Sequence, residues 1–494
     1  MTNSPARRAL SLALVALAML APTACDNRDV GKTRVIAIGP DPVVRDPGLT
    51  ATAGDELLAA SIAQGLVSFD GAGNIVGGLA ERWNVSDDGL SYIFRLAPVT
   101  WGDGRKLTAE QVARALRRSF SATGINPLRD TLGAVAEVVA MTDRVLEIRL
   151  AAPRPHLLAL LAQPQFAVMR GGTGSGPFSL DAAKDKDGWL VLKRAIAVGE
   201  DAEPVKEEEV LLKGDAAERA LAAFAAGKAE LVIGGTFADV PLAQRTNAPA
   251  AALRFDPAAG LFGLVPMRSD GPAGDPDIRA LLARAIDRDA LIAALGVRGL
   301  VGRTTLLEPG LDGNIAPVIQ PWARVPIVER RAGAAADARR MIGNGGERPR
   351  LRIYLPEGPG GDVLFHQLQI DWGGIGFAVE RAERPRTADF ALIDVVAPSL
   401  SPAWFVRHFR CTVVPVCDAD VDALLDSARL ALVPAERSAL IAEAAALADS
   451  KTLFIALGAP IRWSMVGSSI DGFAVNRFAR HSLAGLRQAR AQRE

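Results

Sequence analysis

The sequence has few of the residues from which metal and nucleic-acid sites are made. It contains four histidines, scattered along the chain, and no H-x-x-H or C-x-x-C spacing, so the ligand patterns typical of zinc are missing. Lysine plus arginine equals aspartate plus glutamate at 56 each, which leaves no overall field to attract a nucleic acid. We therefore expect no metal, no cofactor and no nucleic-acid partner.

Motifs that mark common secreted enzymes are missing as well. The chain has no G-x-S-x-G nucleophile turn, no H-E-x-x-H helix, no Walker A loop and no S-x-x-K with its partner motifs. Asp287 and Arg288 are charged neighbours, but nothing beside them in the sequence is suited to act as nucleophile or base, so we interpret them as a solvated helix face or a structural ion pair. The sequence predicts a protein that is not an enzyme, with a secreted hydrolase as the competing class.

Long apolar runs are missing except near the N-terminus. Arg7 and Arg8 precede an apolar run over residues 9–21, which is too short for a comfortable membrane span, and small residues lead from it to Cys25. This order predicts a signal peptide over residues 1–24. A cysteine directly after the small residues resembles a bacterial lipoprotein signal, which implies that Cys25 is the acylated first residue; plain export with cleavage nearby is the alternative.

Cysteine is scarce, and its count agrees with export. If Cys25 carries lipid, the other two, Cys411 and Cys417, form an even pair six positions apart in an oxidising compartment. A disulfide that closes so small a loop would stabilise the fold by about 2 kcal/mol in the chain-entropy model. The alternative, a pair of metal thiolates, lacks the further cysteines or clustered histidines that it would need.

The most informative stretch runs from residue 78 to residue 120. Residues 91–96 alternate between polar and apolar side chains, which predicts a half-buried strand, and glycine-containing turns lie on both sides of it. Thr108 and Gln111 then form the pattern of a capping box at the start of a helix. The stretch therefore predicts a strand, a turn and a capped helix in succession.

The residues in this stretch are more specific than the order of its elements. GLAERW, S-x-D-G-L-x-Y-x-F-x-L, W-x-D-G and L-T-A-E-x-V follow one another within about forty residues. They resemble the extracellular solute-binding proteins of the dipeptide, oligopeptide and nickel group, which serve ABC importers. Residues 174–178 and 278–292 are similar to two further signatures of that family. The alternative is a β-hairpin followed by a capped helix in some other α/β protein.

The resemblance implies an α/β fold of two lobes, like the type II periplasmic binding proteins. A small subdomain would extend the first lobe, and the ligand cleft would lie between lobes that close by a hinge motion about crossing segments near 257–262 and 460–464. The 494 residues suit two or three domains. We assign them as signal peptide 1–24, first lobe 25–65, small subdomain 66–176, first lobe again 177–258, second lobe 259–461 and first-lobe C-terminus 462–494.

The function implied by the resemblance is capture of a small solute, a peptide or peptide-like compound, and its delivery to an ABC permease and ATPase. The protein would act as a monomer in the periplasm, lipid-anchored to the inner membrane, or at the cell surface in a Gram-positive organism. A nickel chelate, an oligosaccharide or an opine as ligand remains an alternative, as does an orphan sensor without a transporter.

Four residues are candidates for ligand contact through their place in the family's segments. Asp41 would border the cleft, Asp394 would pair with an amine, Arg407 would take a carboxylate, and Trp404 would stack on the ligand. Three of them have an ordinary alternative: a capped turn for Asp41, core for Trp404 and solvent for Arg407. Residues 392–398 depart from the family's G-W-x-x-D-Y-x-D-P, and only two tyrosines occur in the chain, so an aromatic-rich peptide pocket is not expected.

Overall fold

The computed structural model of the chain describes residues 32–49, 52–121, 126, 128, 132–197, 204–342 and 348–488. The predicted signal peptide and Cys25 lie outside these residues. Three principal sheets organise the described chain, and the chain order of their strands divides the molecule into a first lobe, a small subdomain and a second lobe.

The first lobe is built on a seven-stranded sheet. Its first strand, Lys32–Ile38, lies between two strands that run parallel to it. Its order in space is Leu253–Phe255, Arg462–Val466, Leu231–Thr236, Lys32–Ile38, Pro204–Asp215, Leu190–Ala197 and Ser179–Leu180. The helices of this lobe are Ala53–Ile62, Ala217–Ala225 and Val240–Arg245. Because strands from both ends of the described chain meet in one sheet, the first lobe is assembled from separate pieces of sequence.

The small subdomain is a four-stranded antiparallel sheet covered by a helix. Its strands in spatial order are Ala80–Val85, Ser91–Leu96, Val145–Leu150 and Val135–Thr142, and its helices are Ala109–Phe120 and Leu157–Leu161. The predicted capping box is confirmed, because Thr108 Oγ1 accepts from the Gln111 N–H and the Gln111 side chain accepts from the Thr108 N–H. A hairpin of Val67–Phe69 and Ile75–Gly77 joins the subdomain to the first lobe, where Phe69 stacks on Phe478 at 4.6 Å.

The second lobe is built on a five-stranded sheet with helices on its faces. The strands in spatial order are Ala378–Arg381, Arg350–Tyr354, Phe390–Val396, Gly260–Pro266 and Ile455–Gly458. The helices are Pro276–Ala285, Arg288–Leu295, Ile327–Ile342, Pro359–Gly373, Pro402–Arg407, Ala419–Leu430 and Pro434–Ser450. A separate pair of short strands, Ile470–Asp471 and Arg487–Gln488, follows near the end of the described chain.

One predicted helix is in fact two. The apolar pattern over residues 278–292 predicts a single helix, but the structure ends one at Ala285 and begins the next at Arg288. Asp287 makes the break, because its carboxylate accepts from the Ala290 N–H and its own N–H donates to Asp371 Oδ2. Arg288 is not on a solvated face: it is buried, and its guanidinium donates to the carbonyl of Ala456 at 2.8 Å. The interpretation of Arg288 as a solvated or ion-paired residue is therefore wrong.

The lobes are joined by two short crossings of the chain. One leads from Phe255 to Gly260 and the other from Gly458 to Arg462, close to where the resemblance places them. The backbones are crowded at the first crossing, since a Cβ atom at Gly260 would lie 2.1 Å from the carbonyl oxygen of Val395. A two-lobed α/β architecture with a subdomain on the first lobe is confirmed. In the described part of the chain, none of the helices combines the length and apolarity that a membrane span requires.

Candidate functional site

A large cavity of about 900 Å³ lies where the two lobes and the small subdomain meet. The first lobe contributes the helix Ala53–Ile62 and the end of the strand Leu231–Thr236. The second lobe contributes Asp394 and the two residues that follow it. The remaining walls include the hairpin of the subdomain, residues 162–164, Asp256, Arg462 and the segment from Phe478 to Gly485. We call this cavity the cleft; its volume is within the range of small-molecule binding sites.

An ion pair connects the second lobe to the crossing strand at the cleft wall. Arg462 Nη1 lies 2.8 Å and 2.9 Å from the two carboxylate oxygens of Asp394, and Nη2 donates to the Asp394 carbonyl at 3.0 Å. Burial raises the pKa of Asp394, and the charge of Arg462 opposes that rise. Asp394 lies on the strand Phe390–Val396 and Arg462 on the strand Arg462–Val466, so a carboxylate and a guanidinium from different lobes line the same wall.

A second ion pair, Glu56 with Arg480, also lines the cleft. Glu56, on the helix Ala53–Ile62, accepts from the guanidinium of Arg480 and from Gln165 Nε2. Gln163 accepts from Arg480 Nε at 3.2 Å and donates to the Pro398 carbonyl at 2.7 Å. These bonds connect the first lobe, the subdomain and the second lobe, so the network joins all three parts of the molecule at the cleft.

A third pair of polar side chains, Asp256 and His481, also lines the cleft. His481 Nε2 lies 3.1 Å from Asp256 Oδ2, and the N–H of Asn476 donates to the other carboxylate oxygen at 3.0 Å. The described walls of the cleft thus carry cationic and anionic groups side by side. Such a surface can bind a ligand that carries both signs of charge, with its ammonium on a carboxylate and its carboxylate on a guanidinium.

The structure separates the four residues predicted to contact ligand. Asp394 lines the cleft, and Asp41 follows a lining residue but bonds elsewhere, to Lys184 Nζ at 2.9 Å and to the Gly214 N–H at 3.0 Å. These contacts, the hydrogen bond from Lys184 first, lower the pKa of Asp41. Trp404 and Arg407 line a different, smaller cavity between the subdomain and the second lobe. The sequence therefore placed together residues that the fold distributes over two sites.

Trp404 is packed among aromatic neighbours rather than open to the cleft. It is 6% exposed, lies edge-on to Phe405 at 5.1 Å and contacts the His408 ring at 4.4 Å. Burial lowers the pKa of His408 to about 4, and its Nδ1 lies 2.8 Å from the Trp404 carbonyl. Across the described ranges, His, Cys, Asp and Glu side chains form no group of three or more that could hold a metal ion.

The loop after the helix Pro402–Arg407 is closed by a disulfide. Cys411 and Cys417 are joined with their Cα atoms 5.1 Å apart, and the Cys411 N–H donates to Asp422 Oδ2 at 3.2 Å. Asp422 belongs to the next helix, Ala419–Leu430, so the loop is tied to the element that follows it. The disulfide lies on the side of the smaller cavity and does not line the cleft.

Sequence reasoning missed most of the charged groups in the cleft. Glu56 and Arg480 are 424 positions apart, and Asp394 and Arg462 are 68 apart, so no local pattern connects them. Arg462 had a usable signal, because it begins the strand after the second crossing, and a strand at a crossing borders any cleft between lobes. Arg480 lies in a segment without helix or strand, which gave no comparable signal.

Two α/β lobes, connected twice and separated by a cleft, form the architecture of a lobed ligand-binding protein. The chain belongs to the bacterial extracellular solute-binding proteins, family 5, whose model for the middle region matches residues 74–383. Members of this family are the substrate-binding components of ABC importers, and the class predicted from the sequence is confirmed.

Curated relatives match at low identity. Probable di/tripeptide-binding protein 5 of Pseudomonas aeruginosa is 24% identical over 484 residues, which cover 85% of this chain and 88% of that protein. The Probable deoxycholate-binding periplasmic protein YgiS of Escherichia coli is 30% identical over 142 residues, and that match spans only 26% of its length. Oligopeptide-binding protein OppA of Haemophilus influenzae, solved with the peptide RPPGFSPFR, shares the fold with a TM-score of 0.76 at 14% identity, covering 93% of this chain and 99% of that one.

Proposed function

We propose that this protein captures a short peptide or peptide-like zwitterion in the cleft and delivers it to the membrane subunits of an ABC importer by lobe closure. The proposal depends on one observation: the cleft wall places the pairs Asp394–Arg462 and Glu56–Arg480 around a single cavity of about 900 Å³. A ligand with an ammonium and a carboxylate can place each of its charges beside a wall residue of opposite sign. Binding without chemical turnover is part of the proposal.

Asp394 is our candidate for the residue that binds the ammonium group of the ligand. It is the acidic residue that the second lobe contributes to the cleft, and its partner Arg462 begins the strand at the second crossing. A ligand on Asp394 would therefore contact the second lobe beside the hinge. Arg480, which is held by Glu56 and Gln163, is our candidate for the residue that binds the carboxylate of the ligand. The relative named for di/tripeptides and the structure solved with a peptide support this class of ligand.

The cellular setting follows from the family and from the N-terminus. Proteins of this family act outside the cytoplasm, and we propose that Cys25 carries the lipid that keeps this one at the outer face of the inner membrane. We propose further that it acts as a monomer, with the ABC permease and ATPase as its partners. Closed lobes would present the surface that the permease recognises.

A thermal-shift screen tests the ligand. Short peptides, amino-acid derivatives, opines, oligosaccharides and nickel chelates are each added to the purified protein, because a true ligand binds only the folded state and raises its melting temperature. We expect a dipeptide or tripeptide to raise it, and small-angle scattering of the same sample to show compaction. A shift from an oligosaccharide or a nickel chelate, with none from peptides, would show that the proposed ligand class is wrong.

The Asp394→Asn variant tests the assignment of the site. It keeps the shape of the side chain but removes the charge, and we expect the dissociation constant of the peptide to rise about tenfold or more, since hydrogen bonds to charged groups are the strong ones. Asp362→Asn is the matched control, because Asp362 is an exposed carboxylate of the second lobe that pairs with Arg381. Equal affinity in both variants would remove Asp394 from the site and leave the family assignment intact.

A further inference from the structure

The smaller cavity, of about 140 Å³, lies between the small subdomain and the second lobe. It is separate from the cleft: no residue lines both cavities, and Gln163, a cleft residue, contacts Pro398 just before the Ser399–Ser401 segment that lines the smaller one. A single buried water needs only about 10–15 Å³ measured in the same way, so this cavity has room for a compact polyatomic group. We call it the arginine pocket.

Five arginines line this pocket, and they come from both sides of the interface. Arg154 belongs to the subdomain, whereas the second lobe contributes the rest from three consecutive helices and the turns that follow them: Arg407, Arg410, Arg429 and Arg437. The polar lining also includes His156 and the buried hydroxyls of Ser399 and Ser401. The chain therefore concentrates cationic and hydrogen-bonding groups around one small space.

Three of these arginines, Arg154, Arg429 and Arg437, lack a carboxylate partner among the described residues. Arg410 pairs with Asp422 and Asp426, which neutralise it. Arg154 donates instead to the carbonyls of Pro153 and Arg429, and Arg437 donates to the same Pro153 carbonyl. Carbonyl oxygens orient a guanidinium but leave its charge uncompensated.

The pKa values of side chains in the pocket reflect the closeness of several positive charges. Burial, with the charges of Arg437 and Arg429, lowers the pKa of Arg154 to about 10. Burial and the neighbouring arginines also lower the pKa of His156 to about 3, so its ring is neutral near pH 7. Like charges close together destabilise each other, and an anion between them relieves that repulsion while accepting their hydrogen bonds.

We propose that the arginine pocket binds a small free oxyanion, such as phosphate or sulfate, between Arg154 of the subdomain and Arg429 and Arg437 of the second lobe. Guanidinium groups bind such oxygens in a two-pronged geometry, and the serine hydroxyls supply further donors. Because the anion contacts both sides of the interface, it holds the subdomain against the second lobe. This site is additional to the cleft and does not depend on which solute the cleft takes.

Titration with inorganic phosphate, and separately with sulfate, tests the proposal on the mature protein without any peptide. At constant ionic strength set with chloride, we expect phosphate to raise the melting temperature and to give a saturable signal in calorimetry. In the double variant Arg429→Gln and Arg437→Gln, we expect the dissociation constant to rise about tenfold or more, because two charged donors are lost. Arg118→Gln, an exposed arginine of the subdomain outside the pocket, is the matched control and should bind like the parent.

A second variant keeps the test decisive if the double variant does not fold. A Cβ atom at Gly133 would lie 3.6 Å from Arg429 Nη2, so Gly133→Asp places a carboxylate in the pocket. We expect it to raise the melting temperature of the anion-free protein and to abolish the phosphate effect. Phosphate binding that persists unchanged in Gly133→Asp, or an absence of any phosphate effect on the parent, would overturn the proposal. Phosphate binding should survive Asp394→Asn, which separates this site from the cleft.

Discussion

Single residues in the cleft are held in pairs of opposite charge. Asp394 with Arg462 and Glu56 with Arg480 satisfy each other in the unliganded protein, which keeps charged groups in a partly buried wall at tolerable cost. Removing one member of a buried pair typically costs about 3–5 kcal/mol, because the other charge is left without a partner. Charge-removing variants of the cleft must therefore be compared for stability as well as for binding.

Asp449 provides a pH-dependent prediction at this scale. Its carboxylate accepts from the Leu306 N–H at 2.9 Å, and burial raises its pKa from 3.8 to about 7. The folded state therefore favours the protonated form, and the stability that this proton provides is present below pH 3.8 and is lost as the pH rises through about 7. We expect Asp449→Asn to have a free energy of unfolding about 1 kcal/mol higher than that of the parent at about pH 8, as measured by urea unfolding, because the amide does not have to bury a charge.

The difference between Asp449→Asn and the parent should shrink at about pH 5, where less of the parent's carboxyl is ionised in the folded state. Asp471→Asn replaces an exposed carboxylate and serves as the control. A difference between Asp449→Asn and the parent that stays constant over this pH range would contradict the role given to the proton.

At the scale of elements, the capping box of the helix Ala109–Phe120 is a local device with a measurable effect. Thr108 Oγ1 accepts from the Gln111 N–H, and Gln111 Oε1 also accepts from Trp101 Nε1 at 3.0 Å. Thr108→Ala should lower the free energy of unfolding by about 1 kcal/mol, because an N–H at the helix start loses its acceptor. Urea unfolding measures this loss. Thr108→Ser keeps the acceptor, so its free energy of unfolding should be close to that of the parent. Equal losses in both variants would show that the methyl group, not the cap, matters.

The loop between Cys411 and Cys417 provides a second prediction for an element. Mass spectrometry of a non-reduced digest should recover the two peptides joined, and the double variant Cys411→Ser, Cys417→Ser should lose about 2 kcal/mol of stability, because the open loop gains entropy in the unfolded state. Reduction of the parent by dithiothreitol should have the same effect and none on the double variant. Two free thiols in the exported protein would rule out the disulfide.

Elements specified by neighbouring residues were predictable, and those specified by distant contacts were not. Thr108 and Gln111 lie three positions apart, so their capping box could be recognised in the sequence. The break before Arg288 includes a hydrogen bond to the carboxylate of Asp371, 84 positions away from Asp287, and the apolar period alone continued through it. The residues predicted for one site lie in two. Asp394 lines the cleft, whereas Trp404 and Arg407, only a short segment further on, line the arginine pocket.

For the whole molecule, the anchor at Cys25 remains a prediction, since that residue lies outside the described part of the chain. Cys25→Ser should move the exported protein from the membrane fraction to the soluble fraction, because it removes the thiol that would carry the lipid. Fractionation followed by immunoblotting measures the change, and the double variant Cys411→Ser, Cys417→Ser, which keeps Cys25, should leave the distribution as in the parent. A parent that is already soluble after export would rule out the anchor.

The position of the strand Arg462–Val466 affects the order in which the lobes fold during synthesis and export. This strand pairs with Leu231–Thr236 on one side and Leu253–Phe255 on the other, so it fills the interior of the first-lobe sheet. A chain that leaves the ribosome and crosses a membrane from its N-terminus therefore presents a gapped sheet for most of its passage, while the second lobe, one continuous insert, can complete its own core first. Until residues 462–466 have been made, the unpaired backbone groups at this strand edge can pair with other chains. The first lobe contains the earliest strand of the described chain but is completed last. We therefore expect its sheet to stay incomplete, and the chain to stay competent for export, until residues 462–466 have been made.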